Sequence, residues 1–143
     1  MITKINIDNF KSIKSLVLVP TSLNLFMGLN GMGKSTVIQS LLLLRQSMKS
    51  GLKQLSLNGS MVEIGRGKDA LYNFAETEKI HFNIGFIQDE EEKEFSLNVS
   101  YAYSAKSDVL SQIEGYIDSE IFSQPLFTTD FVFLNAERMS PTT

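Results

Sequence analysis

No cysteine occurs anywhere in the chain, which excludes a disulfide framework and a thiolate metal site and suits a reducing cytoplasm. Histidine occurs once, at His81, with no second metal-ligating residue at a useful spacing, so it reads as a surface residue on the polar side of a hairpin. Long apolar runs are also missing. The leucines from Leu41 to Leu44 are closed by Arg45 and preceded by Gln39 and Ser40, well short of the ~18 to 20 residues that cross a bilayer. The N-terminus lacks the pattern of a signal peptide, so a cytoplasmic location without a membrane partner is expected. Positive charge is not in excess: a net charge of −3 and a pI near 5.1 give no global pull toward nucleic acid. There is no internal repeat and no low-complexity tract.

What remains, 43% hydrophobic and 20% charged residues in 143, is the composition of a single globular unit, or part of one. Ile2, Ile5 and Ile7 alternate imperfectly with polar residues, and Leu16 to Val19 form a second short alternation closed by Pro20, so an antiparallel strand pair is expected at the start. Ile80, Phe82, Ile84 and Phe86, then Phe95, Leu97, Val99, Tyr101 and Tyr103, predict a hairpin with one apolar face and an acidic, solvated tip at Asp89 to Glu92. Between these, Leu52 to Asn73 reads as loop with one short strand around Met61 to Ile64. Gly65-Arg66-Gly67-Lys68, although it resembles half a phosphate loop, lacks a following helix pattern and reads as a turn. Val109, Ile113, Tyr116 and Ile117 give Asp108 to Ser119 weak helical spacing, and Phe131 to Leu134 reads as a short buried strand.

The most specific feature is Gly28-Leu29-Asn30-Gly31-Met32-Gly33-Lys34-Ser35, a GxxxxGK(S/T) phosphate loop. A match by chance is expected about once in several hundred chains of this length, and the flanks also fit. Leu23 to Met27 supplies a preceding strand, and Val37, Leu41, Leu44 and Met48, widened by Ile38 and Leu42, supply a following helix that should be buried against a sheet, with Gly51 as its stop. Glycines let successive amides converge on one concave face, where a side chain at Gly31 or Gly33 would block phosphate oxygens. Lys34 reaches the β- and γ-phosphates and is the catalytic candidate. Ser35 is the candidate ligand of Mg²⁺, and the helix N-terminus favours the anion. Gly28, Asn30, Gly31, Met32, Gly33, Lys34, Ser35 and Thr36 are therefore the expected contacts to ATP, Asn30 through loop shape and Thr36 toward the α-phosphate.

The flanks exclude two P-loop classes. The D-x-x-G and N-K-x-D elements of GTPases do not occur, and the strand pair and hairpin do not suit a compact nucleotide kinase. Ile2-Thr3-Lys4-Ile5-Asn6-Ile7-Asp8-Asn9-Phe10-Lys11-Ser12-Ile13, followed by Leu23 to Thr36, resembles the start of an ABC-type ATPase head of the SMC, RecF and OLD (overcoming lysogenization defect) kind, often called simply an AAA-family ATPase. The stretch from Leu57-Asn58-Gly59 through Glu63-Ile64-Gly65 to Asp69-Ala70-Leu71, the hairpin, and Phe133 to Pro141 are similar to the first lobe of such heads. The resemblance implies an α/β P-loop NTPase fold: an ABC-ATPase-like first lobe with a mixed sheet, antiparallel N-terminal strands, a β-hairpin, and the P-loop helix packed on the sheet. It also implies ATP and Mg²⁺ as cofactors, a homodimer closing around two nucleotides, Lys11 as a further nucleotide contact, and by analogy DNA or a nuclease as partner.

Several family elements are missing from these residues. There is no LSGGQ-type signature, no switch histidine and no apolar run ending in Asp-Glu. In Phe131 to Glu137, Asn135 stands where the metal-binding carboxylate would be. The stretch reads as a degenerate Walker B, as the approach to a lobe-connecting Q-loop with Glu137 or Arg138 near the phosphates, or as a plain strand end. Residues 1–143 are accordingly expected to be the N-terminal lobe of a longer ATPase from DNA maintenance or phage defence, with little or no hydrolysis alone. The alternatives are a non-catalytic nucleotide-dependent regulatory module and an ABC transporter nucleotide-binding subunit.

Overall fold

The computed structural model describes residues 1–19, 32–88 and 92–128, with side chains in the first helix described from residue 36 onward. Strand β1 (Ile2–Phe10) turns back directly into β2 (Ile13–Leu18), pairing from Ile5↔Leu18 to Phe10↔Ile13. Ile5 and Ile7 face inward at the two-residue period of a strand. Asn9 then adopts a left-handed φ of 61°, which resets the alternation and turns Phe10 inward as well, edge-on to Phe82 at 5.6 Å.

The predicted hairpin is formed by β3 (Lys79–Gln88) and β4 (Lys93–Ala102), in register from Lys79↔Ala102 to Gln88↔Lys93. Ile80, Phe82, Ile84 and Phe86 join Phe95, Leu97, Val99 and Tyr101 on its buried face. Helix α1 (Met32–Gln46) contributes Val37, Leu43 and Leu44 to the same core, and the 3-10 turns Ser119–Ser123 and Pro125–Phe127 add Ile121, Leu126 and Phe127. The helical run continues beyond α1 as a 3-10 turn (Met48–Ser50), and Gly51, with φ 67°, ends it. Arg45 ties the far end of α1 to the second of those turns, its Nη1 donating to Leu126 O at 2.8 Å and Thr128 O at 2.7 Å.

Three expectations are corrected. Val109 to Ile117 is not helical but forms strand β5 (Val109–Ile117), antiparallel to β4. Its apolar spacing imitates a helix because a register shift at Ser100/Tyr101 breaks the alternation and leaves Val109, Ile113 and Tyr116 exposed, while Leu110 is buried. Gly115 (φ 107°) marks the irregularity, since a Cβ there would lie 1.9 Å from Asn98 O. The second misplaced element is the strand around Met61 to Ile64, where only an isolated bridge Asn58↔Glu63 occurs. The short strand β6 lies earlier in the chain, at Gln54–Ser56, and pairs with β5. Gln46 accounts for the difference: its Oε1 accepts from the amides of Met61 and Val62 and its Nε2 donates to Ser56 O and Val62 O, so a side chain holds this segment in place of a ladder. Third, Gly65 to Lys68 does more than turn, because α2 (Gly67–Ala70) begins within it.

The resulting six-stranded sheet has the order β2-β1-β3-β4-β5-β6, and all its pairings among the described residues are antiparallel. The strands expected at Leu23 to Met27, which would make it mixed, and at Phe131 to Leu134 lie outside the described residues, as do Asp89 to Glu91 of the hairpin tip.

Candidate functional site

The tip of the β1-β2 hairpin carries the Asn9-Phe10-Lys11-Ser12 phrase, and two of its residues leave the right-handed region, Asn9 at φ 61° and Lys11 at φ 52°. Asparagine tolerates that conformation, whereas lysine is held there against a cost of about 1–2 kcal/mol. Neighbouring backbone supplies the restraint. Lys11 N donates to Ala70 O at 2.7 Å, Tyr72 N donates to Asn9 O at 2.9 Å, and Phe10 bridges Leu71. The Asn9 side chain spans the other end of the same loop, its Nδ2 donating to Thr77 Oγ1 at 3.1 Å and Lys79 O at 3.0 Å. Residues 71 to 79 are therefore fixed at both ends to one hairpin tip.

The same tip meets the start of α1. Ser12 Oγ lies 3.0 Å from Thr36 Oγ1, and Lys11 Nζ donates to Gln39 Oε1 at 2.9 Å, both half-buried contacts. Thr36 is itself 3% exposed. Between the tip and the loop lies an open cavity of about 440 Å³, lined by Lys11 and Ser12 on one side and by Asp69 and Leu71 to Phe74 on the other. That volume falls within the roughly 300–1,000 Å³ range of small-molecule sites. Tyr72 and Phe74 pack edge-to-face at 5.9 Å, and Phe74 is 78% exposed.

Of the residues singled out in the sequence, Lys11 and Thr36 are brought together here. Met32, Gly33, Lys34 and Ser35 form the first turn of α1, whose amides a helix leaves without intrahelical partners, and that turn carries no acidic residue. Their side chains, and Gly28, Asn30 and Gly31, lie outside the described residues, as do Asn135, Glu137 and Arg138. Among the described residues no group of three or more His, Asp or Glu could hold a metal. A magnesium ion carried by a triphosphate takes most of its ligands from phosphate and water and does not require such a group.

Two other features resolve. The Gly65-Arg66-Gly67-Lys68 stretch is no phosphate cradle, because its amides are already used: Gly65 N by Asn58 Oδ1, Arg66 N by Asp69 Oδ2, Gly67 N by Ser107 O and Lys68 N by Ala105 O. His81 is on the polar side of the hairpin as expected, yet half-buried and engaged at both ring nitrogens, Nδ1 with Asp8 Oδ2 at 2.8 Å and Nε2 with Asn98 Oδ1 at 2.6 Å. With Ser15 Oγ donating to Asp8 Oδ1 at 2.7 Å, it ties four strands together across the outer face of the sheet.

Sequence reasoning passed over Asn9, Tyr72 and Phe74. The available signal was an aromatic-Asn-aromatic triplet between a helix and a strand, a place where exposed rings have no core to fill.

A family model described as an AAA ATPase domain matches residues 1–138. No curated protein and no solved structure matches the chain.

Proposed function

The chain belongs to the AAA ATPase domain family, a family of nucleotide-binding ATPases, and from that premise we propose that residues 28 to 36 bind the triphosphate of ATP together with Mg²⁺. In this reading the amides of Gly28 to Ser35 surround the phosphates, Lys34 neutralises the β- and γ-phosphates, and the Ser35 hydroxyl ligates the metal. Thr36 stands toward the α-phosphate and Lys11 contributes from the hairpin tip. The single observation that carries the proposal is the contact between Ser12 and Thr36 with its companion from Lys11 to Gln39. It sets the Asn-Phe-Lys-Ser phrase against the first turns of the helix that follows the glycine loop, with polar contacts made alongside the burial of Phe10 and Val37 in the common core.

The finer assignment is an SMC/RecF/OLD-like head, supported by the order of that phrase, the glycine loop and the hairpin. Such a head would dimerise around nucleotide through a second lobe, with DNA or a nuclease as partner in DNA maintenance or phage defence, in the cytoplasm. Hydrolysis requires a group that orients the attacking water and a second anchor for the metal. Residues 1–143 offer neither in their sequence, so the isolated chain is a binder with little or no turnover.

Calorimetric titration with ATP·Mg tests the phosphate site. Lys34→Ala is expected to abolish the binding seen with the parent chain, and unchanged affinity refutes the assignment. A brisk ATPase rate from the isolated chain that vanishes in Lys34→Ala would refute the claim that it binds without turnover.

A further inference from the structure

The cavity beside Ser12 adjoins the contact between Ser12 and Thr36, and its lining has chemistry of its own. We infer that the Tyr72-Asn73-Phe74 loop is a stacking platform for the base of the bound nucleotide, with Phe74 as its exposed face; this rests on the reading of residues 28 to 36 as the phosphate site.

Ser12 stands between the two halves: its Oγ is 3.0 Å from Thr36 Oγ1 on the side of α1, and it also lines the cavity of about 440 Å³ whose opposite wall includes Tyr72 to Phe74. A nucleotide whose α-phosphate lies at Thr36 has its sugar and base leading past Ser12 into that cavity. Phe74 is 78% exposed and stands outside the core, with Tyr72 packed against it edge-to-face at 5.9 Å. The loop is in turn clamped at Asn9 O and by the Asn9 side chain. A ring backed by a second aromatic and left uncovered is what a flat heterocycle requires. Loss of such a stack by alanine substitution weakens binding roughly 5- to 150-fold and is tolerant of base identity, since every base presents a π-face. Asn73 is exposed beside the rings and offers both a donor and an acceptor to a base edge.

The test compares two ligands on the full chain by calorimetry: ATP·Mg, and Mg·tripolyphosphate as the base-free probe. Phe74→Ala is expected to weaken ATP at least fivefold and leave tripolyphosphate unchanged, whereas Phe74→Trp retains ATP affinity. Because Phe74 lies outside the core, its removal leaves the fold intact, which circular dichroism checks. As a second readout, 2-aminopurine riboside triphosphate should lose fluorescence on binding the parent chain and recover it in Phe74→Ala. If Phe74→Ala binds ATP as tightly as the parent while Lys34→Ala abolishes both ligands, the platform is wrong and the phosphate site stands. If Lys34→Ala changes neither ligand, the phosphate reading fails and the platform built on it is overturned with it. A parent chain that binds neither ligand overturns both.

Discussion

Replacing Asn9 by alanine and, separately, by glycine distinguishes the two things this residue does. Its side chain donates to Thr77 Oγ1 and Lys79 O, and its backbone sits at φ 61°. Both substitutions remove the two hydrogen bonds. At a half-exposed position each contributes toward the low end of the usual range, so together they account for about 1–2 kcal/mol. Alanine must in addition hold a left-handed conformation costing roughly 1–2 kcal/mol. Glycine avoids that strain but loses about 0.4–1 kcal/mol through a more disordered unfolded chain. The expected order of stability is the parent, then Asn9→Gly, then Asn9→Ala, with the alanine variant about 2–4 kcal/mol below the parent. At a urea m value of roughly 1–3 kcal/mol/M the midpoint should fall by about 1 M or more, while the m value itself stays constant. Equilibrium urea unfolding followed by far-UV circular dichroism reads both quantities. A midpoint for Asn9→Ala equal to the parent's, or above that of Asn9→Gly, would refute the account of the hairpin tip.

Two further substitutions probe the frame around the site. Gly67→Ala should lower stability by about 3 kcal/mol, because its Cβ would meet the Ser104 backbone carbonyl at 1.8 Å; a thermal melt within a degree of the parent would contradict that close approach. Tyr101 is fully buried, donates its hydroxyl to Leu52 O at 2.5 Å, and has its phenol pushed well above the ordinary tyrosine value by burial. Stability that depends on keeping this phenol neutral is complete below the unfolded-state value near pH 10. Above it, the unfolded chain releases the proton and the folded one does not, so stability declines by about 1.4 kcal/mol per pH unit. Tyr101→Phe should cost roughly 1–2 kcal/mol at neutral pH and remove that alkaline slope, which chemical denaturation between about pH 9 and 11, one unit either side of the unfolded-state value, would reveal. An unchanged slope would mean that another group governs it.

The elements legible in the sequence were those in which a regular period decided burial. Ile80 to Phe86 and Phe95 to Tyr101 alternate without interruption and became the hairpin, and the Val37, Leu44 stripe became a helix with those residues in the core. Val109 to Ile117 failed because its register shift and Gly115 spoil the alternation; the open edge of β4, more than local propensity, makes it a strand. Around the candidate site, the hairpin phrase was legible as a motif but the reason for its shape was not. Asn9 bonds to Thr77 and Lys79 across separations of 68 and 70 residues, and His81 finds Asp8 across 73. Such partners are set by cross-strand register, which no local window contains. Tyr72 and Phe74 stayed hidden for the opposite reason: with no core to join, they follow no period.

Surface turns between antiparallel strands are usually where a lineage gains or loses residues without penalty. The tip from Asn9 to Ser12 is an exception. It joins two strands, forms one side of the cavity, and fastens the stretch from Ala70 to Lys79, so a single inserted residue would disturb all three at once. Length variation among related chains should therefore accumulate elsewhere, and grafting experiments that treat this bend as an interchangeable connector would lose more than a connector.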